Sequence, residues 1–460
     1  MSKLTPSKLS RRHFVGRTVQ GAAALAATAT VARPARSQSA ANKVVLALIG
    51  SGGRGRGVMR LMAARDDVDC KYVCDVEDAR GNAFAHELEK IQGFAPKVVR
   101  DMRQVFDDKD VHGVMIGTPE QWHGLGTVLA CQAGKDVYVE KCICRKVEEG
   151  RKMIEAAEKY KRIIQAGTQS RATPYAEAAR KYIADGNLGE VFLVKVFFMI
   201  GSVYGGYPMK KVPDSDPPKG FDWDAWLGPA PQRPYNAQVH RGWHGYFDFS
   251  GGNNSDAIHS LDLARMAIGD PPHPKAVNSS GGRWQYDDGG EMPDNLATTF
   301  EFDKLTMTLD LTGYTKGYMQ KTPGTIRNSD TFPYWPQNST RIEIFGTEAM
   351  MQMGRHGGGW QVFVRPNDRQ PVVKTQTFGR HPDVEHKEDF IQCIRTRGRP
   401  NADVEEGHRS SLLSHLGHVS YRVGRKLQID PATEEITGDP EAMKLYKRAG
   451  REPWVIPEKV

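Results

Sequence analysis

From residue 43 onward, short and almost wholly apolar runs alternate with longer segments whose apolar residues recur at helical spacing. The runs at 43–49, 69–74, 98–99, 113–116, 136–140 and 163–166 predict strands. Between them, 57–64, 79–92, 123–133 and 147–160 predict helices, and Asp101 caps a further helix that runs to Phe106. Runs without polar alternation belong in a sheet covered on both faces, so this part of the chain is a doubly wound α/β parallel sheet.

After about residue 173 the rhythm changes. A helix at 174–185 leads into a β-rich run at 191–199, then a long Pro/Gly/Trp-rich segment at 205–250. Strand-like runs at 297–302, 306–311, 340–345 and 362–364 have no helices between them, and helices follow at 386–396 and 407–424. Consecutive strands pair antiparallel, so a second, α+β domain is expected. The chain has 460 residues, more than one hydrophobic core supports. The division is a leader at 1–40, a first domain at 43–172 and a second at 173–460.

The net charge of +8 belongs to the leader. Residues 1–40 hold Lys3, Lys8, Arg11, Arg12, Arg17, Arg33 and Arg36 and no acid, and without them 56 basic residues face 55 acidic ones. Nothing in that balance calls for nucleic acid. Ser10-Arg11-Arg12-His13-Phe14-Val15, a mild Ala/Thr-rich stretch at 20–32 and small residues at 37–41 form a twin-arginine signal peptide. The expectation is periplasmic localisation through the twin-arginine export machinery, with no membrane span in the mature chain. That route carries folded proteins, so a ligand would be acquired inside and held tightly. The six cysteines, Cys70, Cys74, Cys131, Cys142, Cys144 and Cys393, have no metal-binding spacing and read as buried thiols.

Gly50-Ser51-Gly52-Gly53-Arg54-Gly55 lies directly after a predicted strand and before a predicted helix, the setting in which Gly-x-Gly-x-x-Gly binds a dinucleotide. Gly50 permits the tight turn, Gly52 the approach of a pyrophosphate, and Gly55 close helix–strand packing. Asp75 ends the second strand, where a carboxylate accepts from ribose hydroxyls and repels a 2′-phosphate. NAD is favoured over NADP, with Arg54 and Arg80 as the residues that would soften that preference.

Three further stretches complete a recognisable pattern: Gly117-Thr118-Pro119-Glu120-Gln121-Trp122-His123, Val139-Glu140-Lys141 and Gln165-Ala166-Gly167-Thr168-Gln169-Ser170-Arg171. With the glycine loop, with Trp223-Asp224-Ala225-Trp226-Leu227-Gly228-Pro229-Ala230, with 251–269, Glu405-Glu406-Gly407-His408 and Trp454, the chain resembles the Gfo/Idh/MocA oxidoreductases across residues 43–455. The resemblance implies a Rossmann domain followed by a domain with an open-faced, mainly antiparallel sheet, and nicotinamide between them. It places Lys141 beside the reacting carbon, although Cys142 stands where the family has Pro. The cofactor set on this basis is Gly50, Gly52, Gly53, Arg54, Gly55, Asp75, Thr118, Pro119, His123, Glu140 and Lys141. Gln121 and Trp122 are further candidates for the border of the nicotinamide or substrate.

Removing hydride from a sugar carbon requires a proton acceptor and a cation that polarises the forming carbonyl. Lys141 is the candidate cation, against a reading as a strand-end surface lysine. Glu140 pairs with it or is a buried strand-end carboxylate. Asp256, His259 and Asp262 fall on one helix, with His259 and Asp262 spaced to share a face. The family shows Asp-x-x-x-His-x-x-Asp here, but Ser255 stands four before His259 and the acid lies one position later, at Asp256. His259 is the acid/base candidate, against a packed histidine behind a capping acid, with Asp256 beside it and Asp262 as a substrate contact. Arg241 and Tyr246 are substrate contacts or parts of a packed loop. Asp287, Asp288 and Glu291 read as a solvated turn, and His356-Gly357-Gly358-Gly359-Trp360 as a turn before a strand. No third ligand completes a metal site. The expected protein is an exported NAD(P)-dependent oxidoreductase acting on a sugar, polyol or glycoside, and a homo-oligomer. The alternatives are an NAD-dependent glycosidase working by oxidation, elimination and reduction, and a non-catalytic sugar-binding protein.

Overall fold

A computed structural model describes residues 43–200, 208–313, 331–447 and 450–460, apart from the side chains of 252, 253 and 368. The expected signal peptide at 1–40 and the start of the Pro/Gly/Trp-rich segment lie outside the described residues.

The first sheet is built from β1 (Val44–Ile49), β2 (Val68–Cys74), β3 (Lys97–Val99), β4 (Gly113–Ile116), β5 (Asp136–Val139) and β6 (Ile164–Ala166). The strands are all parallel, in the order β3-β2-β1-β4-β5-β6. Helices α1 (Gly53–Ala63), α2 (Asp78–Gln92), α3 (Arg103–Phe106), α4 (His123–Gln132) and α5 (Val147–Tyr160) make the connections. Every residue of β4 and β5 is buried, as a sheet covered on both faces requires. The predicted helix at 57–64 begins earlier, at Gly53, because the glycine loop itself opens the first turn.

The second part begins with α6 (Pro174–Ala184) and β7 (Val191–Phe198). The Trp-rich segment forms two short helices, α7 (Trp223–Leu227) and α8 (Ala237–Arg241), and leads into α9 (Gly252–Ala267). Then come β8 (Ala276–Gly282), β9 (Asn295–Glu301), β10 (Thr306–Thr312), β11 (Arg341–Gly346), β12 (Met350–Gly354), β13 (Trp360–Val364) and β14 (Val372–Thr377). α10 (Glu385–Thr396), α11 (Val404–Val423), β15 (Leu427–Ile429), β16 (Ile436–Thr437) and α12 (Pro440–Tyr446) complete the chain. The ten strands lie in the order β14-β13-β12-β11-β7-β10-β9-β8-β15-β16, antiparallel except for β7 beside β10. Burial alternates along β9 and β10, so one face is covered and one is open. Val194, Leu309 and Ile344 on the covered face pack with Leu261 of α9 and Leu412 of α11. β8 and β12 carry weak strand signals, one small and polar and the other methionine-rich, and only their neighbours in the sheet make them strands.

Late segments return to the first sheet. Phe390 and Ile391 of α10 join Leu46, Leu48 and Tyr138 in one apolar cluster, and Ala166 N donates to Ala402 O at 2.7 Å. In the acidic turn Asp287 and Glu291 are exposed as expected, but Asp288 is drawn in, pairing with Arg283 at 2.7 Å and accepting from Gly290 N, while Glu291 accepts from Phe247 N. All six cysteines are free and buried.

The two sheets are joined through charge. Arg171, in the turn after β6, sets its Nε 2.8 Å from Asp262 and its Nη2 2.6 Å from Asp270. Ser410 Oγ of α11 donates to the same Asp262 oxygen at 2.7 Å, and Arg265 reaches Glu406 at 3.0 Å. The Arg171 and Asp262 side chains are 3% and 0% exposed. Arg171→Met would leave the buried Asp262 carboxylate without its cation and Asp270 with only Arg180 at 3.5 Å, a loss of about 3–5 kcal/mol. Urea unfolding of the variant should show a midpoint well below that of the native chain.

Candidate active site

The glycine loop works by what its missing side chains allow. Gly50 has φ +85°, and a Cβ there would stand 2.7 Å from Thr118 N. A Cβ on Gly55 would lie 2.2 Å from Gly50 O, so α1 settles directly on the end of β1. Gly53 has nothing within 4 Å of its would-be Cβ, and Gly52 only an Arg80 nitrogen at 3.9 Å. The first turn of α1 holds no acid and its N-cap makes no side-chain hydrogen bond. Open backbone N–H groups at a helix N-terminus suit a pyrophosphate.

Asp75 is held by three donors. Its Oδ2 accepts from Ser51 N at 2.8 Å and Ser51 Oγ at 2.7 Å, and its Oδ1 from Glu77 N at 2.9 Å. The carboxylate therefore fixes the glycine loop and also borders the cavity. Arg80 is paired with Glu77 at 2.8 Å, and Arg54 with Glu140 at 2.9 Å. Glu140 thus turns back to the glycine loop, and its contact with Lys141 is a 3.4 Å approach of the backbone N–H.

One cavity of about 990 Å³ runs from this loop to the start of α9. Thr118 and Pro119 line its middle together with His123, whose ring nitrogens contact the carbonyl oxygens of Thr118 and Cys142. At the far end Lys141 Nζ lies 2.9 Å from Asp256 Oδ1, and His259 Nε2 lies 3.9 Å from the same oxygen. All three side chains are nearly buried. The Lys141–Cys142 peptide bond is cis. Burial, reinforced by Arg355 and Lys141, pushes the His259 imidazole well below its ordinary range, so it is neutral at physiological pH. His244, stacked on Trp243 at 3.5 Å between ring centroids, is pushed down to about 3, chiefly by burial and then by Lys141. Arg241 is exposed at the cavity's edge.

Two predicted contacts stand elsewhere. Asp262 is turned away from His259 into the Arg171 network, because a buried carboxylate is stable only against a cation and Arg171 provides it. Tyr246 is buried outside the cavity wall, under the Arg233 guanidinium at 5.4 Å, in the aromatic cluster of Trp223, Trp226 and Phe249. Gly55 lies behind the loop. Gln121 donates to Trp226 O at 3.1 Å as a buried tie, while Trp122 borders the cavity.

Sequence reasoning missed other lining residues. Glu120 sits inside the Thr-Pro motif, whose spacing gives no sign of its partners. Arg355 and His356 come from the turn after β12, of which 356–360 read only as a turn, and His381 comes from before α10. Arg355 Nη1 lies 3.0 Å from His381 Nε2, a contact between segments 26 residues apart that no local pattern announces. Among the described residues no group of His, Cys, Asp or Glu is arranged to hold a metal ion, and no helix is long and apolar enough to cross a membrane.

Residues 44–168 match the model of the oxidoreductase family's NAD-binding Rossmann fold, and 175–288 with 357–456 match the family's C-terminal alpha/beta domain. The chain belongs to the Gfo/Idh/MocA oxidoreductase family. Its first sheet is thus an NAD-binding Rossmann domain, and the open glycine loop fits that cofactor. Scyllo-inositol 2-dehydrogenase (NAD(+)) of Bacillus subtilis is 24% identical over 371 residues, covering 78% of this chain and 89% of that protein. Levoglucosan dehydrogenase of Pseudarthrobacter phenanthrenivorans is 28% identical over 180 residues, and the match spans 39% of each chain. A glycosyl hydrolase family 109 protein of Stenotrophomonas maltophilia is 32% identical over 139 residues, 29% of each. The match thus spans well under half the length of these last two relatives. In fold, the chain is similar to a levoglucosan dehydrogenase solved with NADH and levoglucosan, with a TM-score of 0.61 at 20% identity, covering 84% of this chain and 99% of that one.

Asp75→Ala removes both a carboxylate at the cavity wall and the anchor of Ser51. Calorimetric titration should show NAD binding weakened by about 1.5–3 kcal/mol, with a smaller preference against NADP.

Proposed function

We propose that this protein is an exported, NAD-dependent oxidoreductase that moves hydride between nicotinamide and a CH–OH carbon of a small sugar, polyol or glycoside. The observation that carries this reading is the meeting of Lys141, Asp256 and His259 at one end of the cavity whose other end is the glycine loop. The bound nicotinamide supplies the hydride acceptor or donor. In the oxidative direction His259, neutral, accepts the hydroxyl proton at Nε2, the ring nitrogen on the Asp256 side. The Lys141 ammonium, oriented by Asp256, stabilises negative charge on the oxygen as the carbonyl forms. Asp75 favours NAD, since both nearby arginines already face carboxylates.

Tight retention of the cofactor has structural support. Residues from the second part close over the nucleotide end: Asp222 N donates to Val76 O at 2.9 Å, and Ala225 and Trp226 line the cavity. The C-terminal Trp454 packs edge-on against Trp122 at 5.2 Å, and Arg451 ties that tail to Asp224 at 2.8 Å. The open face of the ten-stranded sheet, where Leu193 and Phe197 of β7 are only partly buried, supports a homo-oligomer. A glycosidase is the second reading, favoured by the match to the family 109 protein. Release of aglycone without net redox change would select it.

Single-turnover stopped-flow reduction of bound nicotinamide tests the chemistry. Lys141→Met should keep cofactor affinity and lose about 10²–10³-fold in rate. His259→Asn should lose about 10²–10⁴-fold. His259 has a depressed pKa, so its base form persists through neutral pH and is lost only on strong acidification. The native acid limb should therefore disappear in His259→Asn. Near-native reduction in Lys141→Met would remove that residue from the chemistry.

The address rests on the arginine pair. Arg11→Lys with Arg12→Lys should leave the protein in the cytoplasm with its leader uncut, and fractionation with mass analysis of the N-terminus reads this directly.

A further inference from the structure

α9 carries two of the three proposed catalytic side chains, yet it begins without a cap of its own. Its N-cap is Gly251, which makes no side-chain hydrogen bond, and its first turn contains no acid. Helices leave their first N–H groups without intrahelical partners, and a carboxylate near that end offsets both the missing acceptors and the positive end of the helix dipole.

That carboxylate comes from the other domain. Glu120, in the turn after β4, is 2% exposed. Its Oε2 accepts from Gly251 N at 3.1 Å. Its Oε1 accepts from Ser250 Oγ at 3.0 Å and from Ser255 Oγ. All three donors lie in the entry to α9. Ser255, where the sequence departs from the family's acid, also lies 3.3 Å from Cys142 Sγ, next to Lys141.

We infer that Glu120 is the tertiary cap of α9 and a positioning residue for the reaction, holding Asp256 and His259 in register with Lys141. Each turn joined by Glu120 carries part of the site: Thr118 and Pro119 precede it, and Asp256 directly follows Ser255. The carboxylate is placed in the first domain and its donors in the second, so one group sets the separation across the cavity. A misplacement of about 1 Å can cost on the order of 10²-fold in rate. The catalytic consequence rests on the proposed oxidoreductase reading, whereas the cap does not.

The test is Glu120→Gln in the full mature chain, with two independent readouts. Amide hydrogen exchange by mass spectrometry should show faster exchange confined to peptides spanning 250–258, because the amide side chain presents a donor where an acceptor is required. Single-turnover reduction should fall by about 10²-fold, with NAD affinity and substrate KM near native. Returning the acid to the helix in Glu120→Gln with Ser255→Asp should recover most of the rate. If Glu120→Gln fails to fold, Ser255→Ala removes one donor and leaves the carboxylate, and it should show the same exchange pattern to a smaller degree. Unchanged exchange at 250–258 would overturn the cap. A rate loss matched by equal losses of NAD affinity and melting temperature would overturn the positioning role. A native protein inert towards every carbohydrate, with exchange still responding to Glu120, would refute the oxidoreductase reading and leave the cap standing.

Discussion

The ion pair between Arg171 and Asp262 decides where the second half of the molecule stands. Each charge alone would cost several kcal/mol to bury, so neither side chain is stable in the interior unless the other is in place. Arg171 belongs to the turn that ends the first sheet and Asp262 to the middle of α9. Ser410 and the Arg265–Glu406 pair extend the contact to α11. Ion pairs with fixed hydrogen-bond geometry do not slide as apolar contacts do, so α9 has one position relative to the parallel sheet.

That position assembles the candidate site. With α9 fixed at its middle by Arg171 and at its start by Glu120, the face carrying Asp256 and His259 meets Lys141 at the end of β5. The burial of this corner makes an imidazolium costly, and His259 is left neutral beside a cation. The two groups then share one small space: the imidazole is uncharged because burial, and after it the neighbouring cations, disfavour its charged form, and the lysine is oriented because a carboxylate faces it.

The cavity is equally a product of both halves. Its nucleotide end rests on backbone left open by glycine, while its cover comes from the Trp-rich segment and the C-terminal tail. Trp122 makes the joint explicit. Its indole Nε1 donates to Ala225 O at 3.0 Å, and its ring meets the edge of Trp454. Residues more than 300 positions apart in the chain, Trp122 and Trp454, thus line one cavity.

Much of this was written locally. Strand–helix alternation, the glycine loop and the acid at the end of β2 depend on short-range steric and hydrophobic periodicity, and they were readable one segment at a time. So were Lys141, Asp256 and His259, since each lies in a motif of a few residues. Asp262 and Tyr246 were misplaced because helical spacing gives a shared face but not which neighbour covers it, and Arg171 and Arg233 are distant in the chain. Glu120, Arg355 and His381 acquire their roles only through partners that no spacing rule connects. The sequence alone determined the parallel sheet and its glycine loop, and it named Lys141, Asp256 and His259 as candidates. The tertiary structure decided which of them face one cavity, because the cost of burying charge is settled only when remote segments meet.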